Sequence, residues 1–149
     1  MWKPLLIISV FLTPIFLFGQ NVTYINGKLD TNQCGKITIN NTVNLDSLIT
    51  FPTELGIQDI KIVDDCIEFY VVFGGGCGTT NFELITDNAI TESMSPSINI
   101  FLKSTDYDFC KALVYKTIRF DLSDFNLYKK STGLTFRIKN NSSTIIYKE

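Results

Sequence analysis

From Asn21 onward, several short runs of the chain alternate apolar and polar residues with a period of two residues. The clearest stretch runs from Ile67 to Phe73, where every odd-numbered residue is apolar and Glu68 and Tyr70 occupy even positions. Because successive side chains of a strand point to opposite faces, this pattern predicts a strand with one face turned to a hydrophobic core.

Further runs rich in β-branched and aromatic residues follow at roughly ten-residue spacing, separated by Asn, Asp, Gly and Ser. They predict strands at Lys36–Asn40, Ser47–Phe51, Asp59–Val63, Asn81–Thr86, Ser97–Lys103, Ala112–Leu122, Gly133–Lys139 and Thr144–Lys148. The pair Asp64-Asp65 and the run Asn140–Ser143 predict tight hairpin turns. Helical periodicity is confined to two short turns, at Asn44–Leu48 and Asp121–Tyr128.

The arrangement of these runs predicts the fold class. Short strands separated by turn residues, with almost no helical pattern, are typical of an all-β fold. We therefore expect an antiparallel β-sandwich of about seven to nine short strands, held by disulfides. The chain has 149 residues and shows no internal repeat, linker or change of composition, so residues 20–149 are interpreted as a single all-β domain.

The first residues of the chain have a different character. Met1–Lys3 supplies a basic start, and Leu5–Phe18 is almost continuously apolar. This run is shorter than the about 20 residues that a membrane-spanning helix needs, so residues 1–19 are predicted to be a signal peptide. An uncleaved membrane anchor is the alternative. The prediction makes the protein secreted or periplasmic, with no stable membrane span once the signal is cleaved.

Four cysteines, at Cys34, Cys66, Cys77 and Cys110, follow the predicted signal peptide, and none belongs to a C-x-x-C motif. An even number of cysteines in a small exported domain predicts two disulfides. If residues 66–73 form an extended strand of about 23 Å, the chain to Cys77 returns at most about 14 Å, too little for a Cys66–Cys77 bridge. Two pairings remain open: Cys34–Cys66 with Cys77–Cys110, or Cys34–Cys77 with Cys66–Cys110.

Charge and composition exclude several functions. The formal net charge is -2, and the longest basic run is the pair Lys129-Lys130, which argues against nucleic acid binding. The chain has no histidine, which excludes Ser-His-Asp and Cys-His catalysis and the common histidine-containing zinc sites. We therefore expect no enzymatic activity, no cofactor and no metal.

Three groups of residues suggest ligand chemistry, but a structural interpretation fits each of them better. Gly74–Gly76 lacks the following Lys-Ser/Thr of a phosphate-binding loop, so these glycines are expected to serve a turn with positive φ. Asp106 and Asp108 form part of a calcium-like pattern, yet no further oxygen ligands complete it in sequence. Glu68 and Glu83 lie on neighbouring predicted strands, as a glycosidase pair would, and are interpreted as solvent-facing.

One further acidic residue, Asp121, precedes the short helical pattern. An aspartate in this position typically caps the first turn of a helix by accepting hydrogen bonds from backbone N–H groups. We expect this capping role for Asp121 and no catalytic one.

Four short motifs follow one another in the second half of the chain. In order, they are Gly75-Gly76-Cys77, Phe82-Glu83-Leu84, Asp108-Phe109-Cys110 and Phe120-Asp121-Leu122. The ordered set resembles the C-terminal β-sandwich region of the NigD-like family of exported bacterial proteins, over residues 59–149 of this chain. The chain departs from the family pattern after Cys77. The family often has a charged residue and a histidine before the Phe, whereas Gly78-Thr79-Thr80-Asn81 stands there in this chain.

The resemblance implies a β-sandwich and a bridge between Cys77 and Cys110, which leaves Cys34 and Cys66 to pair with each other. It implies no enzymatic activity. We expect an exported, non-enzymatic binding or accessory module of the bacterial envelope, whose partner is a protein or another envelope ligand. The alternative is a secreted inhibitor or bacteriocin-immunity-type protein that blocks one partner.

Overall fold

The computed structural model describes residues 33–48, 55–107 and 109–149. The predicted signal peptide, residues 1–19, lies outside the described residues. Within them, eight strands form two sheets, of five and three strands. The strands are β1 (Thr38–Ile39), β2 (Gly56–Val63), β3 (Cys66–Gly75), β4 (Thr80–Thr86), β5 (Ser97–Asp106), β6 (Ala112–Asp121), β7 (Leu134–Ile138) and β8 (Ser143–Tyr147). The predicted mostly-β fold, with about this number of strands, is therefore confirmed.

The three-stranded sheet has the order β2-β3-β6, and all its pairs are antiparallel. β2 and β3 form the hairpin that the sequence predicts, because Asp64 and Asp65 adopt φ values of 49° and 62°. Positive φ at both central residues is the type I′ geometry, whose twist matches that of the flanking strands. The long alternating stretch of the sequence thus becomes the central strand of this sheet.

The five-stranded sheet, of order β1-β4-β5-β7-β8, is mixed, so the expectation of purely antiparallel strands was wrong. β1 pairs with β4, and β5 with β7, in the parallel direction. A short hairpin forces two strands to be antiparallel, whereas a long connection leaves both directions open. The chain between β5 and β7 passes through β6 in the other sheet, and it returns to run alongside β5 in the same direction.

The expected strand at Ser47–Phe51 was also wrong over the residues that the structure describes. A short helix, α1 (Leu45–Leu48), occupies this place, and residues 49–51 lie outside the described part. The Asn44 side chain begins the turn by accepting a hydrogen bond from the Asp46 N–H at 3.0 Å. The alternative helical pattern at Asn44–Leu48 was therefore the correct one.

The remaining helical structure is where the sequence predicts it, between β6 and β7. A 3-10 turn at Ser123–Phe125 continues into a second short helix, α2 (Asn126–Lys129). The Asp121 carboxylate accepts hydrogen bonds from the N–H and the hydroxyl of Ser123, both at 2.8 Å. Leu122, and not Asp121, occupies the N-cap position of the 3-10 turn, so Asp121 supports the turn from the residue before its cap.

One hydrophobic cluster has buried members from both sheets. Its fully or nearly fully buried residues are Ile67, Phe69, Val71, Phe73, Leu84, Ile98, Ile100, Leu102, Phe120, Leu122, Phe125, Leu134, Phe136, Ile138 and Tyr147. The odd-numbered residues of β3 supply four of them, as the alternation of the sequence predicts. Burial of these side chains is the main force that holds the fold.

Two disulfides cross-link the chain. Cys34 is bonded to Cys66, with their Cα atoms 6.2 Å apart, and Cys77 to Cys110, with their Cα atoms 5.7 Å apart. This is the pairing that followed from the family resemblance. Disulfides of this kind are typical of proteins in an oxidising environment outside the cytoplasm.

Among the helices of the described part of the chain, none is long and apolar enough to cross a membrane.

Candidate functional site

The three-stranded sheet has one face against the core and one turned away from it, which we call the outer face. The strand register places alternate residues of β2, β3 and β6 on this outer face. Among its members are Asp59, Lys61, Glu68, Tyr70, Val72, Leu113, Tyr115, Thr117 and Arg119. Charged and aromatic side chains therefore share one surface.

Two tyrosines dominate the centre of the outer face. The rings of Tyr70 and Tyr115 stack with their centroids 6.0 Å apart and their planes at 22°. Their relative exposures are 42% and 56%, and the neighbouring Leu113 is 66% exposed. Register explains the contact: Tyr70 lies opposite Thr117 and Tyr115 opposite Val72, so the two rings are diagonal neighbours across the β3–β6 pair.

A buried carboxylate lies at one end of the same face. Glu68 is only 9% exposed, and its two oxygens contact Lys61 Nζ at 3.0 Å and Arg119 Nε at 2.9 Å. The contacts follow from register, because Glu68 lies directly between Lys61 on β2 and Arg119 on β6. A buried charge is tolerated when it is paired in this way. The two ion pairs thus join β2, β3 and β6 on the outer face and hold the Glu68 side chain in place.

A shallow pocket separates this ion-paired group from the tyrosines. It has a volume of about 160 Å³ and is lined by Asp59, Lys61, Glu68, Tyr70 and Thr117. Sites that enclose small-molecule ligands usually measure about 300–1,000 Å³. The pocket is therefore large enough to receive one side chain of a partner, but too small to enclose a substrate.

On the corresponding outer side of the five-stranded sheet, one apolar patch is covered by the protein itself. Ile85 of β4 and Phe101 of β5 are buried there in a second hydrophobic cluster with Leu45 of α1. The short helix thus closes an apolar patch on that sheet. In the described structure, the exposed aromatic residues of the three-stranded sheet have no such cover.

A second polar cluster joins the β2–β3 turn to the C-terminal strand. The Tyr147 hydroxyl donates to Asp65 Oδ1 at 2.8 Å and lies 2.5 Å from Asn126 Oδ1. Lys129 Nζ also contacts Asp65 Oδ1 in a short ion pair. The cluster thus connects a turn, the α2 helix and β8.

The electrostatics of this second cluster point to a structural role. Hydrogen bonds from Lys129 and then from Tyr147 hold the pKa of Asp65 below its ordinary value of 3.8. Burial, followed by the hydrogen bond to Asp65, raises the pKa of Tyr147 above its ordinary value. An aspartate that stays ionised and a tyrosine that stays neutral do not exchange protons near neutral pH. The cluster therefore holds the β2–β3 turn against α2 and β8 through a charged and a neutral partner.

The acidic pair considered from the sequence does not assemble. Glu68 lies in the three-stranded sheet and Glu83 in the five-stranded sheet, so the expectation of neighbouring strands was wrong. The expectation that Glu68 faces solvent was also wrong, because its ion pairs allow it to be buried. Glu83 lies 4.0 Å from Lys103 Nζ on the paired strand β5.

The other sequence candidates have structural surroundings. Gly76 adopts a φ of 111°, which L side chains rarely adopt, so this glycine serves a turn as expected. The expectation was wrong for Gly74 and Gly75, which are the last residues of strand β3. The Asp106 carboxylate accepts a hydrogen bond from the Thr80 hydroxyl at 3.2 Å, and Asp108 lies outside the described residues. Among the described residues, no group of three or more Cys, Asp or Glu side chains is arranged to hold a metal ion.

Sequence reasoning did not identify the outer face as a site. The signal was present, because Tyr70 and Tyr115 both lie at positions opposite in parity to their core-facing neighbours. An aromatic residue on the face that should meet solvent is informative only when a second one lies beside it. That second fact depends on the β3–β6 register, which the sequence alone does not supply.

Comparisons with known protein families and with curated proteins find no match. Among solved structures, the chain is similar to a protein of unknown function, DUF1344, from Bacteroides vulgatus, with a TM-score of 0.53 and 17% identity over 78% of this chain and 56% of that one. It also matches a Parabacteroides distasonis protein described only as toxin-related, with a TM-score of 0.49 and 15% identity over 76% of this chain and 58% of that one. The chain thus spans less than two-thirds of either structure. The first similarity concerns the fold alone.

Proposed function

We propose that this chain is an exported, non-enzymatic binding module of the bacterial envelope that engages a protein partner through its outer face. In this proposal residues 1–19 are a signal peptide and the mature chain is secreted or periplasmic. Its two sheets pack face to face as a β-sandwich, with the shared hydrophobic cluster between them.

The observation that carries the proposal is the exposed, stacked pair of Tyr70 and Tyr115. Tyrosine is enriched at the centres of protein interfaces, because its ring supplies a large apolar area and its hydroxyl remains able to hydrogen-bond. Lys61 and Asp59 lie beside the pair, so an aromatic centre is bordered by charged side chains. An apolar centre with a polar rim is the usual anatomy of a protein interface.

The size and chemistry of the pocket favour a macromolecular partner over a small substrate. A volume of about 160 Å³ accommodates one side chain rather than a whole ligand. The Glu68 carboxylate is already engaged by Lys61 and Arg119, which suits a role in holding the surface rather than in proton transfer.

Two further observations support export and the family. The apolar run Leu5–Phe18 precedes a domain cross-linked by two disulfides, a combination typical of exported proteins. The Cys77–Cys110 bridge is the one that the resemblance to the NigD-like family implies. We therefore propose that the chain is a member or a distant relative of that family.

Site-directed photocrosslinking in the native envelope tests the proposed function. A benzoylphenylalanine introduced at Tyr115 should crosslink to one defined protein. The matched control is the same group at Ile146, an exposed position on β8 in the other sheet. Tyr70→Ala should reduce the crosslink from position 115, because it removes half of the aromatic pair. Equal crosslinking from both positions, or none from position 115, would refute the assignment of the outer face.

A further inference from the structure

Strand β6 is an edge of the three-stranded sheet, and one end of this edge already carries a backbone partner. Gly35 donates its N–H to the Arg119 carbonyl at 2.9 Å and accepts a hydrogen bond from the Asp121 N–H at 2.8 Å. The two segments run in parallel at this point. The C-terminal end of the β6 edge therefore forms backbone hydrogen bonds with a neighbouring segment, at Gly35.

Toward the start of β6, the same edge has no backbone partner among the described residues. Arg119 and Asp121 direct their backbone groups away from β3, so the alternation of an antiparallel ladder directs those of Leu113, Tyr115 and Thr117 the same way. Within the described part of the chain, no backbone group hydrogen-bonds to these three positions. In the part of the chain that the structure describes, a row of N–H and C=O groups without a backbone partner thus follows directly in line with the Gly35 contact.

The side chains along this edge define what it can receive. Leu113 and Tyr115 are exposed on the outer face. On the opposite face, Lys116 extends toward the five-stranded sheet, and its Nζ lies 5.6 Å from the centre of the Phe82 ring. Lys116 takes part in none of the ion pairs of the described residues. The open edge thus combines an apolar outer side with an uncompensated positive charge on its inner side.

We propose that an extended segment of the protein partner adds to the free edge of β6 as a further strand. The inference rests on the proposed function and specifies how the partner is held. The partner's backbone bonds to Leu113, Tyr115 and Thr117, and its apolar side chains lie beside Leu113 and Tyr115 on the outer face. An acidic side chain, one position along the added strand, faces Lys116.

A second copy of this chain fits the edge less well. Antiparallel pairing of two β6 strands about Tyr115 places the two Lys116 side chains on the same face as diagonal neighbours, about 7–8 Å apart. Two positive charges on diagonal neighbours of one face repel each other, and inward-pointing lysines on edge strands are a known protection against such self-pairing. A partner strand with a carboxylate removes this cost.

Amide hydrogen exchange provides a direct test. The probe is a short fluorescein-labelled peptide that alternates threonine and valine around a central Glu-Tyr-Glu. In the free chain the outward N–H groups of Leu113, Tyr115 and Thr117 should exchange rapidly, because no backbone group of the described residues bonds to them. Bound peptide should slow them by about tenfold or more, while the inward N–H groups of Val114 and Lys116 should change little. A purely side-chain contact would not produce this alternation.

Two substitutions sharpen the test. Thr117→Pro removes one outward N–H without removing a bond to β3, so it should weaken peptide binding by about tenfold or more. Thr117→Ala keeps the N–H and should weaken it no more than about threefold. Lys116→Glu should reverse the preference, so that a peptide with Lys-Tyr-Lys at its centre binds better than the Glu-Tyr-Glu probe. Urea unfolding of each variant shows whether the chain is still folded.

Several results would overturn the inference. Slow exchange at all three positions in the free monomer would show that the chain covers its own edge, and a concentration-dependent dimer with slowed exchange would show self-pairing. No binding by the folded chain at about 1 mM peptide would also contradict it. If crosslinking from position 115 succeeds but the alternating protection is absent, the outer face binds its partner without strand addition, and the proposed function survives alone.

Discussion

A disulfide lies at each end of strand β3, and the two disulfides have different surroundings. At its start, which we call the Cys66 end, Cys66 is bonded to Cys34; just beyond its last residue, at the Cys77 end, Cys77 is bonded to Cys110. The sequence separations are 32 and 33 residues. On the loop-entropy argument, both bridges stabilise the fold by nearly the same amount, about 3–4 kcal/mol.

The neighbourhoods of the two bridges differ. At the Cys66 end, Cys66 is buried, and the adjacent Asp65 is tied to Tyr147 and Lys129. At the Cys77 end, Phe109 is 100% exposed and Tyr107 is 65% exposed. The Cys34–Cys66 bridge lies among buried and hydrogen-bonded residues. The Cys77–Cys110 bridge lies beside exposed aromatic side chains. The contribution of a crosslink to this fold therefore depends on what packs around it as well as on loop length.

Removal of the bridges should give the largest effects. Cys34→Ala with Cys66→Ala should cost about 4–5 kcal/mol, because the loss of the crosslink is added to the loss of a buried side chain. Cys77→Ala with Cys110→Ala should cost about 3–4 kcal/mol, from loop entropy alone. Urea unfolding of the two double variants against the oxidised parent measures the difference. Equal losses would show that the buried surroundings of Cys66 add nothing.

Loss of a single hydroxyl at the Cys66 end should have the next largest effect. Tyr147 is only 1% exposed, and its hydroxyl bonds to Asp65. Tyr147→Phe should lower the free energy of unfolding by about 1–2 kcal/mol, because the hydrogen bond from this buried hydroxyl to the Asp65 carboxylate is lost. Tyr115→Phe is the matched control, since Tyr115 is exposed on the outer face, and it should change stability by less than about 0.5 kcal/mol. Similar losses in both variants would contradict the structural role of the cluster.

Acidification should lower the stability of the fold through Asp65, at the Cys66 end of β3. Hydrogen bonds hold the pKa of Asp65 below 3.8 in the folded chain, so the unfolded chain binds this proton more readily. The stabilisation is therefore complete above the ordinary value and is lost as the pH falls through the lower, folded value. Urea unfolding between neutral pH and about pH 3 should show this decline.

Asp65→Asn serves as the control for the acid effect. Asparagine tolerates the positive φ of 62° at this position and keeps oxygen and nitrogen atoms for hydrogen bonding, but it does not titrate. The variant should be less stable at neutral pH and should lose less stability on acidification than the parent. An unchanged acid dependence would assign the effect to other carboxylates.

The contrast also shows which features of the molecule the sequence could predict. The alternation of Ile67–Phe73 and the pair Asp64-Asp65 are local patterns, and they predicted the central strand and its hairpin. The direction of β7 beside β5 was not predictable, because a long connection through the other sheet leaves both directions open. The same holds for Tyr147 and Asp65, which lie 82 residues apart and meet only after the strands assemble.

The candidate site was less predictable than the fold. Glu68 reads as a solvent-facing residue of an amphipathic strand, and only the register of β2 and β6 surrounds it with Lys61 and Arg119. The stacked tyrosines likewise depend on pairing between distant strands. In both cases the sequence supplies the residue type and the face, whereas the neighbours come from long-range pairing.

The smallest effect on stability is expected at the exposed side of the Cys77 end. Phe109 is fully exposed, so Phe109→Ser removes no buried surface and should change the free energy of unfolding by less than about 0.5 kcal/mol. Phe125→Ser is the matched control, because Phe125 is buried against Phe136 with ring centroids 5.3 Å apart, and it should cost about 3–5 kcal/mol. Urea unfolding of both variants decides the matter. A loss above about 1 kcal/mol for Phe109→Ser would show that this loop packs as tightly as the Cys66 end, and the distinction between the two ends would fail.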